Sequence, residues 1–313
     1  LTFAKNGLKR RLHGRSCLIG NVWPKRCGSN TCSSRKTLPL GWQVDASHDR
    51  KPMSVPKILH QTWKDEHVPE DFSECVQSWR THHPDWQFRL WTDQDNRELI
   101  AEEYAWFLET YDGYPTAIQR ADAIRYFILH RYGGMYVDLD FICLKPLDLL
   151  LDDRDCVVGM EPPQHCRHHR VPNLLCNALM ASAPGHPFFE RVIRRLPDFV
   201  HHVENKEPIL SSTGPIMMTR VLDDFETPES VTVLPSRFLY PLTMHQAAQY
   251  RLAGHVGVDL SDAFAIHLFH GTWWRTDRWD RNWRGYYKLK SLIQRRVSGF
   301  RAGVSALLGR PRS

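Results

Sequence analysis

The stretch TAIQRADAIRYFILHRYGGMYVDLDFICLKPL, residues 116–147, decides the fold. Its first half has helical spacing, with Ala117, Ala121, Ile124 and Ile128 on one stripe. Asp122 and Arg125 stand three apart on a neighbouring stripe, so their side chains can act on one ligand. Gly133 and Gly134 end the helix, because glycine takes the left-handed C-terminal position without a steric penalty. A strand is predicted over 135–143, rich in aromatic and β-branched residues. Asp138 and Asp140 are two apart within it, which puts both carboxylates on one face of a single strand.

Two carboxylates at the end of an apolar strand are costly unless a cation holds them. Oxygen ligands suit a hard divalent ion, Mn²⁺ or Mg²⁺. An isolated Asp-x-Asp is also met as a solvated strand end. Here it is joined to a double glycine, to a helix carrying Asp122 and Arg125, and to a Lys-Pro exit at 145–146, and that combination is far more specific.

This pattern resembles the DXD sugar-binding region of family-32 glycosyltransferases, which include yeast-type α-mannosyltransferases acting on glycoproteins and on inositol phosphoceramide. It is more distantly similar to the glucosylating clostridial toxins and to globotriaosylceramide synthase. The family pattern is Asp-x-x-Arg, Gly-Gly, then Tyr-x-Asp-x-Asp. The chain matches it with Asp122, Arg125, Gly133, Gly134, Tyr136, Asp138 and Asp140, and the likeness runs from about 55 to 274. The resemblance implies an α/β, GT-A-like nucleotide-sugar-binding domain.

Working outward, KILHQTW at 57–63 reads as a strand with a polar end, and 71–83 as a helix capped by Asp71. WQFRLW at 86–91 reads as a second strand. This alternation is the rhythm of a mostly parallel sheet with crossover helices. Ligands of such sheets sit beyond the carboxyl ends of the strands. That assigns His60, Gln61 and Trp63, with Thr92 and Asp93, to a nucleotide cleft, Trp63 either stacking on a base or serving the core.

Beyond the central stretch, 156–161 reads as a strand ending in an acid, 162–172 as a loop, and 177–182 as a strand. The His-Cys-Arg-His-His run at 165–169 invites a zinc reading, but no second cluster in the sequence completes a tetrahedral site. An acceptor-side loop is the preferred reading. Ser212 and Thr213 are expected to cap a helix near Pro215. AIHLFHGTWW at 265–274 is similar to the family's C-terminal His-x-x-x-Gly-Ser-Trp. On that likeness His267 is the third metal ligand, with His270 a rival. Thr272 and Trp273 then reach the diphosphate as donors, Tyr136 belongs to the donor site, and Asn177 faces the donor sugar.

The 313 residues carry 41 Lys and Arg against 35 Asp and Glu, unevenly placed. Residues 1–44 hold nine bases and residues 284–313 eight, neither with an acid, so the middle holds 24 bases against 35 acids. Residues 1–54 show no periodicity and read as a basic, poorly ordered leader. Residues 55–283 form the catalytic domain and 284–313 a basic tail. The basic ends suit contact with an anionic membrane surface or plain solvation; no nucleic-acid motif accompanies them. Eight cysteines without Cys-x-x-Cys give no zinc framework; Cys143 and Cys156 read as core thiols, and Cys166 and Cys176 can pair in an oxidising compartment.

Taken with the resemblance, these features lead us to expect a retaining, metal-dependent glycosyltransferase. The expected donor is GDP-mannose, and the acceptor an inositol-phosphate lipid head group or a glycan. A UDP-hexose donor is the alternative. A Golgi or secretory membrane address is expected, with an anchor upstream of Leu1; a cytoplasmic one is the alternative. Two readings from other classes compete. An inactive sugar-binding homologue would have a damaged metal set, whereas Asp138, Asp140 and His267 are all present. A haloacid-dehalogenase-like phosphatase needs Thr or Val where Ile142 stands.

Overall fold

The computed structural model describes residues 54–271 apart from 203, 205 and 206. Residues 1–53 of the leader, the tail at 284–313, and Thr272 and Trp273 lie outside the described residues.

Six strands form the central sheet: β1 (Ile58–Thr62), β2 (Gln87–Trp91), β3 (Gly134–Val137), β5 (Cys156–Met160), β6 (Leu175–Ser182) and β7 (Thr232–Leu234). Their order is β2-β1-β3-β6-β5-β7. Three of the five pairings are parallel, and β6 runs antiparallel to both of its neighbours. A separate ribbon pairs β4 (Phe141–Cys143) with β8 (Ala265–His267) antiparallel. The α/β class and the mostly parallel sheet expected from the sequence are present.

The central helix is Ala117–Tyr132. Thr116 opens it with a capping box shared with Gln119, satisfying two backbone donors that the first turn leaves over. Asp122 through Leu129 are all buried, whereas Ala117 is exposed and Ala121 half-buried. The alanines of the expected apolar stripe therefore line a cavity instead of the core. Their small side chains leave room there.

Gly133 and Gly134 both have positive φ, +64° and +87°, as the turn from helix to β3 demands. A Cβ on Gly134 would lie 2.5 Å from the Ile58 carbonyl oxygen, a backbone atom of the neighbouring strand. Strain and clash act together, so Gly134→Ala is expected to cost about 2–4 kcal/mol and roughly 5–15 °C in Tm. A thermal melt unchanged by the substitution would mean that β1 can move aside cheaply.

Four local expectations are corrected. The strand expected over 135–143 is two strands in two sheets, broken by a turn at Asp138, Leu139 and Asp140. The helix after β1 is Ser73–His82, entered through a 3-10 turn, and Asp71 does not cap it. Residues 163–169 are a short helix, Pro163–His169, not a loop, with Pro163 in its first turn, where a missing N–H costs nothing. Helix Pro215–Asp223 has no side-chain cap, because the Ser212 hydroxyl accepts from Gln119 and the Thr213 hydroxyl donates to Asp122. Cys166 and Cys176, whose pairing the sequence left open, are free, buried thiols.

Candidate active site

The carboxyl ends of β1, β2, β3 and β5 open on a cavity of about 910 Å³, whose wall includes Trp63, Asp93, Asp138 and Glu161. That is the size expected of a small-molecule or cofactor site. The ends of parallel strands are where the sheet topology places a ligand.

Asp138 and Asp140 flank the turn between the two sheets, and each is fixed from a different side. The Asp138 backbone N–H donates to Ala178 on β6 at 2.8 Å. Its carboxylate accepts from the Tyr136 hydroxyl at 2.9 Å and pairs with Arg125 at 3.3 Å. Thr62 in turn meets the Tyr136 hydroxyl at 2.8 Å. Asp140 is held by the segment that follows β8. Its carbonyl accepts from Leu268 N–H at 2.9 Å and its carboxylate from His270 N–H at 2.8 Å. His267 Nε2 lies 3.2 Å from the other carboxylate oxygen.

One ligand atom from each of Asp138, Asp140 and His267 lies within 4.8 Å of the other two. The carboxylates do not share one strand face, as the spacing suggested; the turn between two sheets brings them together with β8. The His267 ring is fixed by parallel stacking on Phe141, centroids 4.4 Å apart. His270, its rival, meets Asp140 through its backbone.

The electrostatics of the pair are unequal. Burial lifts the Asp138 carboxyl, Arg125 opposes this and Asp140 adds to it, leaving it raised to about 6. Burial also opposes charge on Asp140, but His267 and the His270 N–H overcome it and hold that carboxyl well below the usual range. For His267, burial favours the neutral ring and Asp140 outweighs it, so its pKa is raised. Such perturbed groups in a cleft mark a functional site.

Behind the pair lies a buried polar network. Arg125 donates through Nε to the Ala121 carbonyl at 3.1 Å and through a terminal nitrogen to the Asn177 carbonyl at 3.0 Å. Its other terminal nitrogen lies 2.9 Å from Asp122 and 3.3 Å from Asp138. The Asn177 amide donates to Asp122 at 3.3 Å and to the Tyr126 hydroxyl at 2.9 Å. Burial raises the Asp122 carboxyl, with Arg125 as the main opposing charge. Asp122, Arg125 and Asn177 all line the cavity. Arg125 has a protein partner on every nitrogen, and its place is that of a post between two carboxylates.

Residues 69–157 match the family described as the glycosyltransferase sugar-binding region containing DXD motif. The matched span takes in the central helix, the double glycine and the turn that carries Asp138 and Asp140. The chain is 40% identical over 230 residues to inositol phosphoceramide mannosyltransferase 3 of Schizosaccharomyces pombe, covering 71% of this chain and 61% of that protein. It is 37% identical over 226 residues to mannosyl phosphorylinositol ceramide synthase SUR1 of Saccharomyces cerevisiae, covering 70% of this chain and 53% of that protein. The chain thus spans between half and two thirds of the length of these relatives. Among solved structures, PaToxG glycosyltransferase matches at 14% identity and a TM-score of 0.43, covering 57% of this chain and 73% of that one.

Not every residue assigned to the site reaches the cavity. Trp63 does, with its ring edge-on to Phe72 at 5.5 Å and a buried indole N–H that has no hydrogen-bond partner among the described residues. His60 does not. Its Nδ1 accepts from Trp91 at 3.1 Å and its Nε2 meets the Gly133 carbonyl at 3.0 Å, so both ring nitrogens are used inside the fold. Burial accordingly lowers its pKa to about 4. Gln61 is buried away from the cavity wall, and Tyr136 acts behind Asp138.

One pair escaped the sequence reading. Glu161, at the end of β5, is buried and lies 2.7 Å from His165 Nδ1, and both line the cavity. Burial opposes the Glu161 charge, and His165 more than offsets it, holding the carboxyl below its usual range. Glu161 stands just before the helix and His165 in its first turn, so the pair closes across the helix start that Pro163 signals.

Proposed function

We propose that this chain is a metal-dependent, retaining glycosyltransferase that moves mannose from GDP-mannose to an inositol-phosphate lipid head group or a glycan. The observation that carries the reading is the convergence of Asp138, Asp140 and His267 on one point of the cavity wall. Two carboxylates and an imidazole fit a divalent ion. The mixed oxygen and nitrogen set favours Mn²⁺ over the more strictly oxygen-seeking Mg²⁺. The names of the two yeast relatives support the mannosyl donor and the inositol-phosphate acceptor.

When bound, the ion supplies Lewis-acid neutralisation of the donor diphosphate. The rest falls to side chains. Trp63, on the cavity wall, offers a ring face to the base. Asp122 and Asn177 receive the sugar hydroxyls, and Arg125 positions both by holding the Asp122 carboxylate and the Asn177 carbonyl. The bond from the anomeric carbon to the phosphate oxygen breaks as the bond to the acceptor oxygen forms on the same face. The acceptor proton passes to the leaving phosphate. Positive charge grows on the sugar ring in the transition state, and Asp122 and Glu161 supply a negative field around the cavity. Thr272 and Trp273 complete the proposed diphosphate contacts.

No helix among the described residues is long and apolar enough to cross a membrane. We place the enzyme at a Golgi or secretory membrane surface, with the basic segments 1–44 and 284–313 as peripheral contacts. Calorimetric titration with GDP and with UDP, each with Mn²⁺, tests the donor. GDP is expected to bind the more tightly. Tenfold tighter binding of UDP would replace the mannosyl reading with a galactosyl or glucosyl one.

A further inference from the structure

The histidine run at 165–169 had no partner cluster in the sequence. The fold supplies one. Helix Pro163–His169 ends with His168 and His169, and Arg170 stops it in the left-handed conformation at φ 58°. Glu207, nearly forty positions along the chain, leads into helix Pro208–Ser212 and lies against this end. One ligand atom from each of His168, His169 and Glu207 lies within 4.8 Å of the other two.

We propose that His168, His169 and Glu207 form a second cation site, distinct from the Asp138 and Asp140 centre, for a divalent transition metal of the zinc class. The donor set decides the class. Two imidazoles and one carboxylate are the ligands that four-coordinate zinc takes when one position stays open. Hard ions such as Mg²⁺ and Ca²⁺ prefer sets made only of oxygen.

The geometry is already close to what such an ion needs. Metal–ligand bonds of about 2.0–2.1 Å at tetrahedral angles put neighbouring ligand atoms roughly 3.3 Å apart. His169 Nδ1 and the Glu207 carboxylate are 3.4 Å apart. The two histidine rings lie 4.9 Å apart and nearly perpendicular, at 86°, so they approach a shared point from different sides. His168 is exposed while the His169 and Glu207 side chains are 17% and 36% exposed, which leaves a path for entry. All three line the cavity, so the open position faces the same space as the donor site.

Cobalt(II) is the probe, because its visible absorption reports coordination number independently of turnover. A protein carrying Asp138→Asn and Asp140→Asn removes the first centre. At stoichiometric cobalt it is expected to show the strong band of a four-coordinate nitrogen and oxygen site, and zinc is expected to displace it. Adding His168→Asn and His169→Asn should abolish the band, and Glu207→Gln should weaken cobalt binding by roughly tenfold or more. A band that survives the histidine changes, or no band at stoichiometric cobalt, would overturn the site. Should the aspartate variant not fold, the difference in cobalt spectrum between wild-type protein and the His168→Asn, His169→Asn variant isolates the second site, and no difference at equal cobalt would overturn it.

Discussion

Asp138→Asn is expected to lower donor turnover on the order of 10³-fold while leaving the fold in place. The asparagine carbonyl can still accept from the Tyr136 hydroxyl and from Arg125, the two contacts that the Asp138 Oδ1 now makes. What is lost is the charge and one of three oxygen and nitrogen ligands. The pH dependence has a definite sign. Since the carboxyl is raised to about 6, it takes up a proton as the pH falls through that value, and Mn²⁺ uptake should weaken from pH 7 to pH 5. The same raised pKa means that the ionised carboxylate costs the metal-free fold stability above pH 6, a cost relieved as the pH falls. Metal-free Asp138→Asn protein should therefore melt no lower than wild type at pH 7.5. Asp140→Asn is the less clean variant. One Asp140 oxygen accepts the His270 N–H and the other faces His267, and an asparagine amide can serve only one of them as an acceptor. Donor hydrolysis, Mn²⁺ titration and a thermal melt on the same preparations read all of this. Full turnover by Asp138→Asn, or undiminished activity in excess chelator, would remove the metal centre from the proposal.

What the sequence disclosed follows from how local each signal is. The helix at Ala117–Tyr132 and its double-glycine end are written in consecutive residues, through a capping box and two positive-φ positions, and they were legible. So was β1, whose carboxyl end opens on the cavity. The break between β3 and β4 was not, because Val137, Leu139 and Phe141 alternate with the two aspartates at the period of a half-buried strand. Only the pairing of β4 with β8, over 120 positions away, pulls it into another sheet. His60 shows the opposite error. Its polar neighbours suggested a ligand, but Trp91 and Gly133 from distant segments claim both its nitrogens. Glu207 could not be joined to the histidine run by spacing, since the contact is made only when the two helices meet.

Removing the Arg125 guanidinium should injure the fold, where removing Asp138 should not. Arg125 is 8% exposed and stands between two carboxylates, Asp122 and Asp138, that are themselves largely buried. Arg125→Met keeps much of the volume but leaves both without their cation and the Asn177 carbonyl without its donor. Stranding buried charge in this way costs about 3–5 kcal/mol, a fall in Tm of roughly 10 °C for a domain of this size. Arg125→Lys should lie in between, because a single ammonium cannot reproduce a planar fork that spans Ala121, Asn177 and both aspartates. Two further measurements separate this account from lost packing. Adding Asp122→Asn to Arg125→Met should restore part of the stability, since one stranded charge is gone, and a double-mutant cycle reads that coupling directly. Lowering the pH from 7 to 5 should narrow the gap between Arg125→Met and wild type, because the stranded carboxyls, already raised by burial, protonate and become cheap to bury. An Arg125→Met protein that melts within about 2 °C of wild type, with no coupling to Asp122, would show that the arginine is not what holds the two carboxylates in place.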